Sequence, residues 1–183
     1  MTLSVILAIV AAAVVILYGI AVYNGLVKAR NWVKESWSQI DVQLKRRHDL
    51  IPNLVETVKA YAAHEKETLD RVIRARNMMM SGTPRERMEA DNALTSALKS
   101  VFALAESYPE LKANQNFLAL QEELTSTENK VAYSRQLYNK TVADYNIRRE
   151  SFPAIIFANL FGFKPEEQLT IREEEREAPR IKF

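Results

Sequence analysis

Residues 3–27 read LSVILAIVAAAVVILYGIAVYNGLV, and none of them is charged. A helix rises about 1.5 Å per residue, so roughly 20 apolar residues suffice to cross the hydrocarbon of a bilayer. This stretch exceeds that length and can span with some tilt. Ile, Val, Leu and Ala fill every face from Val5 to Leu17, which a half-buried helix of a soluble core would not do. A cleaved signal peptide needs a basic leader, an apolar core of about 7–15 residues and a small-residue cleavage site. Only Met1 and Thr2 precede the run, the run is too long, and no such site follows it. The expectation is a transmembrane anchor over residues 1–27 that includes Leu3, Ile6, Val10, Val14 and Leu17. Tyr18 and Tyr23 fall toward its C-terminal end, where amphipathic rings prefer the headgroup level.

Lys28, Arg30 and Lys34 follow the anchor directly, and no charged side chain precedes it. The positive-inside rule then places the short N-terminus outside and the rest of the chain in the cytoplasm.

Beyond the anchor the composition is that of helices. The whole chain has four Gly and six Pro, too few for the turns of a sheet, and is rich in Ala, Leu, Glu, Lys and Arg. The fold class is therefore all-α. No cysteine is present, which excludes disulfides, thiolate zinc sites and cysteine nucleophiles. Twenty-five basic and 23 acidic residues are spread along the chain for a net charge of +2. Such a balance makes no field for capturing nucleic acid.

Working onward from the anchor, no Gly or Pro interrupts the chain between Gly25 and His48, so the membrane helix is expected to continue into a first soluble helix. Val33, Trp37, Ile40 and Leu44 mark its apolar stripe. Asp49 is suited to cap a second helix with Pro52 in its first turn; the rival is a kinked continuation of the first. Leu54, Val58, Tyr61, Ala62, Leu69, Val72 and Ile73 carry the next stripe toward Met80, and Ser81-Gly82-Thr83-Pro84 stops it. A third helix begins near Pro84 with Thr83 as its cap and shows Leu94, Leu98, Val101 and Ala105 on one side. Pro109 breaks or bends the chain. The longest helix starts near Asn114, places Phe117, Leu120, Leu124, Val131, Tyr138, Val142 and Tyr145 close to heptad spacing, and ends before Pro153. Four amphipathic helices with short connections bury their stripes only against one another, which predicts an antiparallel four-helix bundle over residues 28–151.

Residues 152–183 stand apart. Phe152, Ile155, Ile156, Phe157, Leu160, Phe161 and Phe163 crowd a segment too short to cross a bilayer as a helix. It either packs as an extra turn on the bundle end or offers apolar surface to another subunit or to lipid. The acidic stretch Glu166 to Glu177 and the terminal Pro179 to Phe183 are candidates for disorder or for pairing with a neighbouring subunit.

Catalytic patterns are missing. No G-x-x-x-x-G-K-[ST], G-x-G-x-x-G or G-x-S-x-G occurs, so phosphate cradles and nucleophile elbows lack their glycine turns. His48 and His64 are the only histidines, and His64-Glu65 lacks the second histidine of H-E-x-x-H. Neither a metal nor a cofactor is expected. Lys45-Arg46-Arg47-His48 is a short basic run suited to anionic lipid or a phosphate-bearing partner, but a solvated helix face or an interhelical ion-pair set is the favoured reading. Glu128 and Arg135, close to the stripe of the longest helix, read as polar contacts that specify helix pairing.

Three blocks carry a resemblance: Tyr23-Asn24-Gly25-Leu26-Val27, Trp37-Ser38-Gln39-Ile40-Asp41-Val42-Gln43-Leu44-Lys45-Arg46-Arg47, and Asp49-Leu50-Ile51-Pro52-Asn53-Leu54-Val55. Pro109 to Asn114, Leu120 to Leu124, Thr127 to Lys130, Tyr138-Asn139 with Tyr145-Asn146, and Ser151-Phe152-Pro153 continue it. In this order, over residues 1–165, the chain resembles the LemA family of bacterial membrane proteins. The resemblance implies a membrane helix followed by a helical bundle, a bacterial inner-membrane location and no established catalytic activity. It also implies a setting near membrane-shaping or membrane-proteolysis systems. The expected role is a non-enzymatic scaffold that self-associates in the lipid bilayer as a homo-oligomer. The alternative is an adaptor for an integral membrane partner such as a protease or transporter.

Overall fold

The computed structural model describes residues 3–169; Met1, Thr2 and residues 170–183, with most of the acidic stretch and the terminal Pro179 to Phe183, lie outside them. The described residues are all-helical, with no strand among them. The helices are α1 (Leu3–Tyr61), α2 (Lys66–Met78), α3 (Pro84–Ala105), α4 (Pro109–Lys112), α5 (Gln115–Glu150) and α6 (Ala154–Leu160). The chain divides into two compact units. Among the described residues, one holds residues 3–36 with 137–168, and the other holds residues 37–136 with Leu169.

In the second unit most of the stripes read from sequence form the core, with Tyr61 exposed and Trp37, Ile73 and Leu120 half-buried. Ile40, Leu44, Leu54, Val58, Leu69, Val72, Leu94, Leu98, Val101, Phe117, Leu124 and Val131 are all buried. Each fully buried Leu, Ile or Phe contributes about 1.5–3 kcal/mol of hydrophobic stabilisation, so this stripe pattern is what holds the helices together.

The helix boundaries show two corrections: the stretch expected to run as one helix toward Met80 is interrupted between Tyr61 and Lys66, and its expected start is not a start. A second helix capped by Asp49 does not form; α1 runs through Asp49 and Pro52 to Tyr61. Pro52 has no N–H to give the carbonyl of His48, four residues back, and a proline inside a helix normally costs about 3 kcal/mol or more. Here Arg76 of α2 reaches across and donates its Nε–H to that carbonyl at 3.1 Å. The orphaned acceptor is satisfied from another helix, so the first helix continues. Asp49 spends its carboxylate on Lys45 instead, at 2.6 Å; that bond and a weaker one to His48 hold its pKa below the ordinary value.

The other punctuation follows the chemistry of the residues. Thr83 caps α3 with a reciprocal pair: its hydroxyl accepts from the Glu86 N–H at 3.3 Å, and its own N–H donates to Glu86 Oε2 at 2.6 Å. The Thr83 backbone bond, with help from its hydroxyl, keeps the Glu86 carboxyl below the usual range. Gly82 sits at φ +94°, where a Cβ would also come within 2.6 Å of that carboxylate. Pro109 breaks the chain into the short α4, and Asn114 starts α5 by accepting the Phe117 N–H at 3.0 Å.

Candidate functional site

The first unit collects the features that stand out chemically. The apolar half of α1 is the one described helix long and apolar enough to cross a membrane, and 6% of its most apolar window is buried. A soluble core helix would have that window mostly covered. Leu3, Ile6, Val10, Val14, Leu17, Tyr18 and Tyr23 are all exposed on it.

Against this helix packs α6. The Phe157 ring lies 6.1 Å from the ring of Tyr18, and it occupies the space a side chain at position 19 would take: a Cβ on Gly19 would come within 2.8 Å of Phe157 Cε1. Tyr23 meets Phe161 edge-on at 5.0 Å and Phe163 at 5.6 Å, geometries that suit aromatic quadrupoles. Val15, Ile16, Gly19, Ile20, Tyr23, Phe157 and Phe161 line an apolar groove of about 430 Å³.

The expected apolar cluster thus splits in two. Phe163 is buried, and Ile155 and Phe157 are half-buried, whereas Phe152, Ile156, Leu160 and Phe161 stay exposed. Backbone geometry closes α6: Gly162 at φ +70° turns the chain, and the Phe163 N–H returns to the Ala158 carbonyl at 2.9 Å.

After the turn, residues 163–168 lie along α5, and side chains of α5 hold their backbone. Arg149 Nε donates to the Phe163 carbonyl at 3.0 Å, Tyr145 Oη to Lys164 at 2.7 Å, and Asn146 Nδ2 to Glu166 at 2.8 Å. Asn146 Oδ1 takes the Glu166 N–H in return at 3.1 Å, and Tyr138 Oη reaches the Glu167 carbonyl at 3.4 Å. Burial, and then the carboxylate of Glu166, push the Tyr138 and Tyr145 hydroxyls above their ordinary pKa. Both therefore remain donors at neutral pH. Sequence reasoning missed this strap. The signal was the Tyr-Asn pair repeated seven residues apart, at 138–139 and 145–146, which puts both pairs on one face of α5.

Two cations meet the start of the strap at Phe163, and a third lies on α1. Arg30 stacks on Phe163 with its guanidinium carbon 5.1 Å from the ring centroid, within cation–π range. Arg149 is bonded as above, and Lys28 lies 5.1 Å over the Trp32 ring.

In the second unit the basic run resolves into ion pairs. Arg46 meets Glu123 at 2.6 Å, and Arg47 is fully buried, paired to Asp91, bonded to Thr95 Oγ1 at 3.1 Å and 3.8 Å from Glu128. Arg135 is also buried. Arg87 pairs with Asp41 and lies over the Trp37 ring at 5.4 Å. His64 is exposed and His48 turns to Asp49 at 3.2 Å. Among the described residues no three acidic or histidine side chains cluster as a metal would require.

A family model described as the LemA family matches residues 36–183. The match takes in the tail that the resemblance had left aside and begins after the apolar stretch. The chain is 24% identical to magnetosome protein MamQ of Magnetospirillum gryphiswaldense, over 78% of this chain and 62% of that protein. It is also 24% identical to protein LemA of Metamycoplasma hominis, over 70% and 60%. Magnetosome protein MamQ 2 of Paramagnetospirillum magneticum matches at 24%, over 78% and 62%. The chain thus spans about three-fifths of the length of the curated relatives it matches.

Proposed function

We propose that this chain, which belongs to the LemA family, is a non-enzymatic single-pass membrane scaffold that self-associates and so organises or curves the bilayer that holds it. The observation that carries the reading is the apolar half of α1, exposed along its length, with the apolar helix α6 docked on it in the same compact unit. Polar side chains of the second unit are engaged in ion pairs and caps, and among the described residues no metal-binding cluster of acidic and histidine side chains occurs. The relatives' names, LemA and magnetosome protein MamQ, are not those of enzymes.

Copies of one chain associate through closed symmetry, and anchors held in a fixed arrangement impose their geometry on lipid. The basic flank of Lys28, Arg30 and Lys34 supports a cytoplasmic side for the helical domain. The test is cross-linking and particle sizing of the full-length protein in detergent and in lipid. A discrete homo-oligomer is expected, together with altered vesicle shape on reconstitution. Monomers alone would remove the reading, and repeated recovery of one stoichiometric integral membrane protein would replace it with an adaptor.

A further inference from the structure

We infer that α6 is a second membrane element: it enters the leaflet on the Lys28 side of the anchor, without crossing it, and seats acyl chains along its exposed face. The inference rests on the anchor reading above and adds a lipid-contact site to it.

Depth is the first argument. Phe157 packs on Gly19, which lies nine residues before Lys28, the first charged residue of the chain. At about 1.5 Å per residue that is about 13 Å along the helix toward the bilayer centre. Tyr23, which Phe161 and Phe163 contact, is about 7 Å before Lys28 by the same rise. Whatever solvent meets the anchor at those levels therefore meets α6 as well.

The surface of α6 suits lipid. Residues 151–163 carry no charge, while Arg148, Arg149, Glu150 and Lys164 flank them. Phe152 is 83% exposed, Leu160 73% and Ile156 57%. This apolar face is continuous, through the groove between Ile16, Ile20 and Phe161, with the exposed side of the anchor. In water such a patch would be a liability; beside a membrane span it is simply more of the same surface.

The backbone is equipped for it too. Polar groups in hydrocarbon must be satisfied internally. The N–H groups of Ile155, Ile156, Phe161, Gly162 and Phe163 all bond to carbonyls within residues 151–159. Pro153 has no N–H to satisfy. Exposed Asn159 limits the depth to the region below the headgroups. An element inserted in one leaflet adds area to that leaflet alone, which gives a scaffold of this kind a means of bending the bilayer.

The absence of cysteine permits the test. Single-cysteine variants L160C, I156C, L17C and Y133C of the full-length protein carry a nitroxide label in phosphatidylcholine–phosphatidylglycerol vesicles. Collision with oxygen is compared with collision with a water-soluble nickel chelate. Positions 160 and 156 should show an oxygen preference several-fold above that of Tyr133, which is exposed on the bundle, and on the same side as that of Leu17. Labels at 160 and 156 as open to nickel as at 133, with 17 still in lipid, would overturn the inference and leave the anchor standing. Shielding of 160 and 156 from both reagents would mean a protein contact and would overturn it equally. A water-exposed label at 17 would sink the anchor reading itself.

Discussion

Lys45, Arg46, Arg47 and His48 follow one another in the chain and end in different environments. Lys45 and Arg46 are exposed and meet acidic partners at the surface, where such pairs are worth about 0–1 kcal/mol. Arg47 is wholly buried against Asp91 and Thr95. A buried pair adds little net stability over an apolar replacement, yet removing one member strands the other charge. Arg47→Ala is therefore expected to cost roughly 3–5 kcal/mol, and the double change to Arg47→Met with Asp91→Leu to recover most of it. Thermal unfolding of the full chain followed by helical circular dichroism checks both. A double variant no better than the single one would mean that Arg47 acts through something other than this pair.

At the scale of elements, Pro52 is the instructive case. A cap residue at Asp49 and a proline three residues on satisfy the usual signs of a helix start, but they do not exclude continuation. What decides is whether the His48 carbonyl finds a donor, and the donor comes from Arg76 on another helix. Arg76→Ala should destabilise by about 1–2 kcal/mol through the unsatisfied carbonyl. Pro52→Ala supplies a backbone N–H for the same acceptor, so in that background Arg76→Ala should cost distinctly less. The coupling is read from a double-mutant cycle of unfolding free energies, and strict additivity would contradict this account of the unbroken α1. The element boundaries that sequence reading placed well are those decided within a few residues: the Thr83 cap, the turn at Ser81 to Pro84 and the helix start near Asn114.

For the whole molecule the prediction concerns sidedness. With Lys28, Arg30 and Lys34 following an uncharged span, the positive-inside rule predicts a cytoplasmic helical domain. A membrane-impermeant thiol reagent should fail to label the Y133C variant in intact bacterial cells and label it after the membrane is opened. Labelling in intact cells would place the domain outside and reverse the proposed topology. The strap is the matching feature of the first unit. Residues 163–168 are held by Tyr138, Tyr145, Asn146 and Arg149 of α5, and α6 is thereby tied at its C-terminal end as well as packed on Gly19.

Heptad spacing in α5 was enough to identify Phe117, Leu124, Val131, Tyr138 and Tyr145 as buried, because a helix brings residues seven apart to one face whatever it packs against. The same locality made the long apolar helix, the all-α class and the Thr83 cap legible: charge, length and periodicity act along the chain. The partners of Arg47, the donor for His48, the ring seated on Gly19 and the carbonyls held by the Tyr-Asn pairs were not legible, since each joins residues 14 or more apart in sequence. Those contacts depend on which helices come to lie side by side, and only the folded chain decides that.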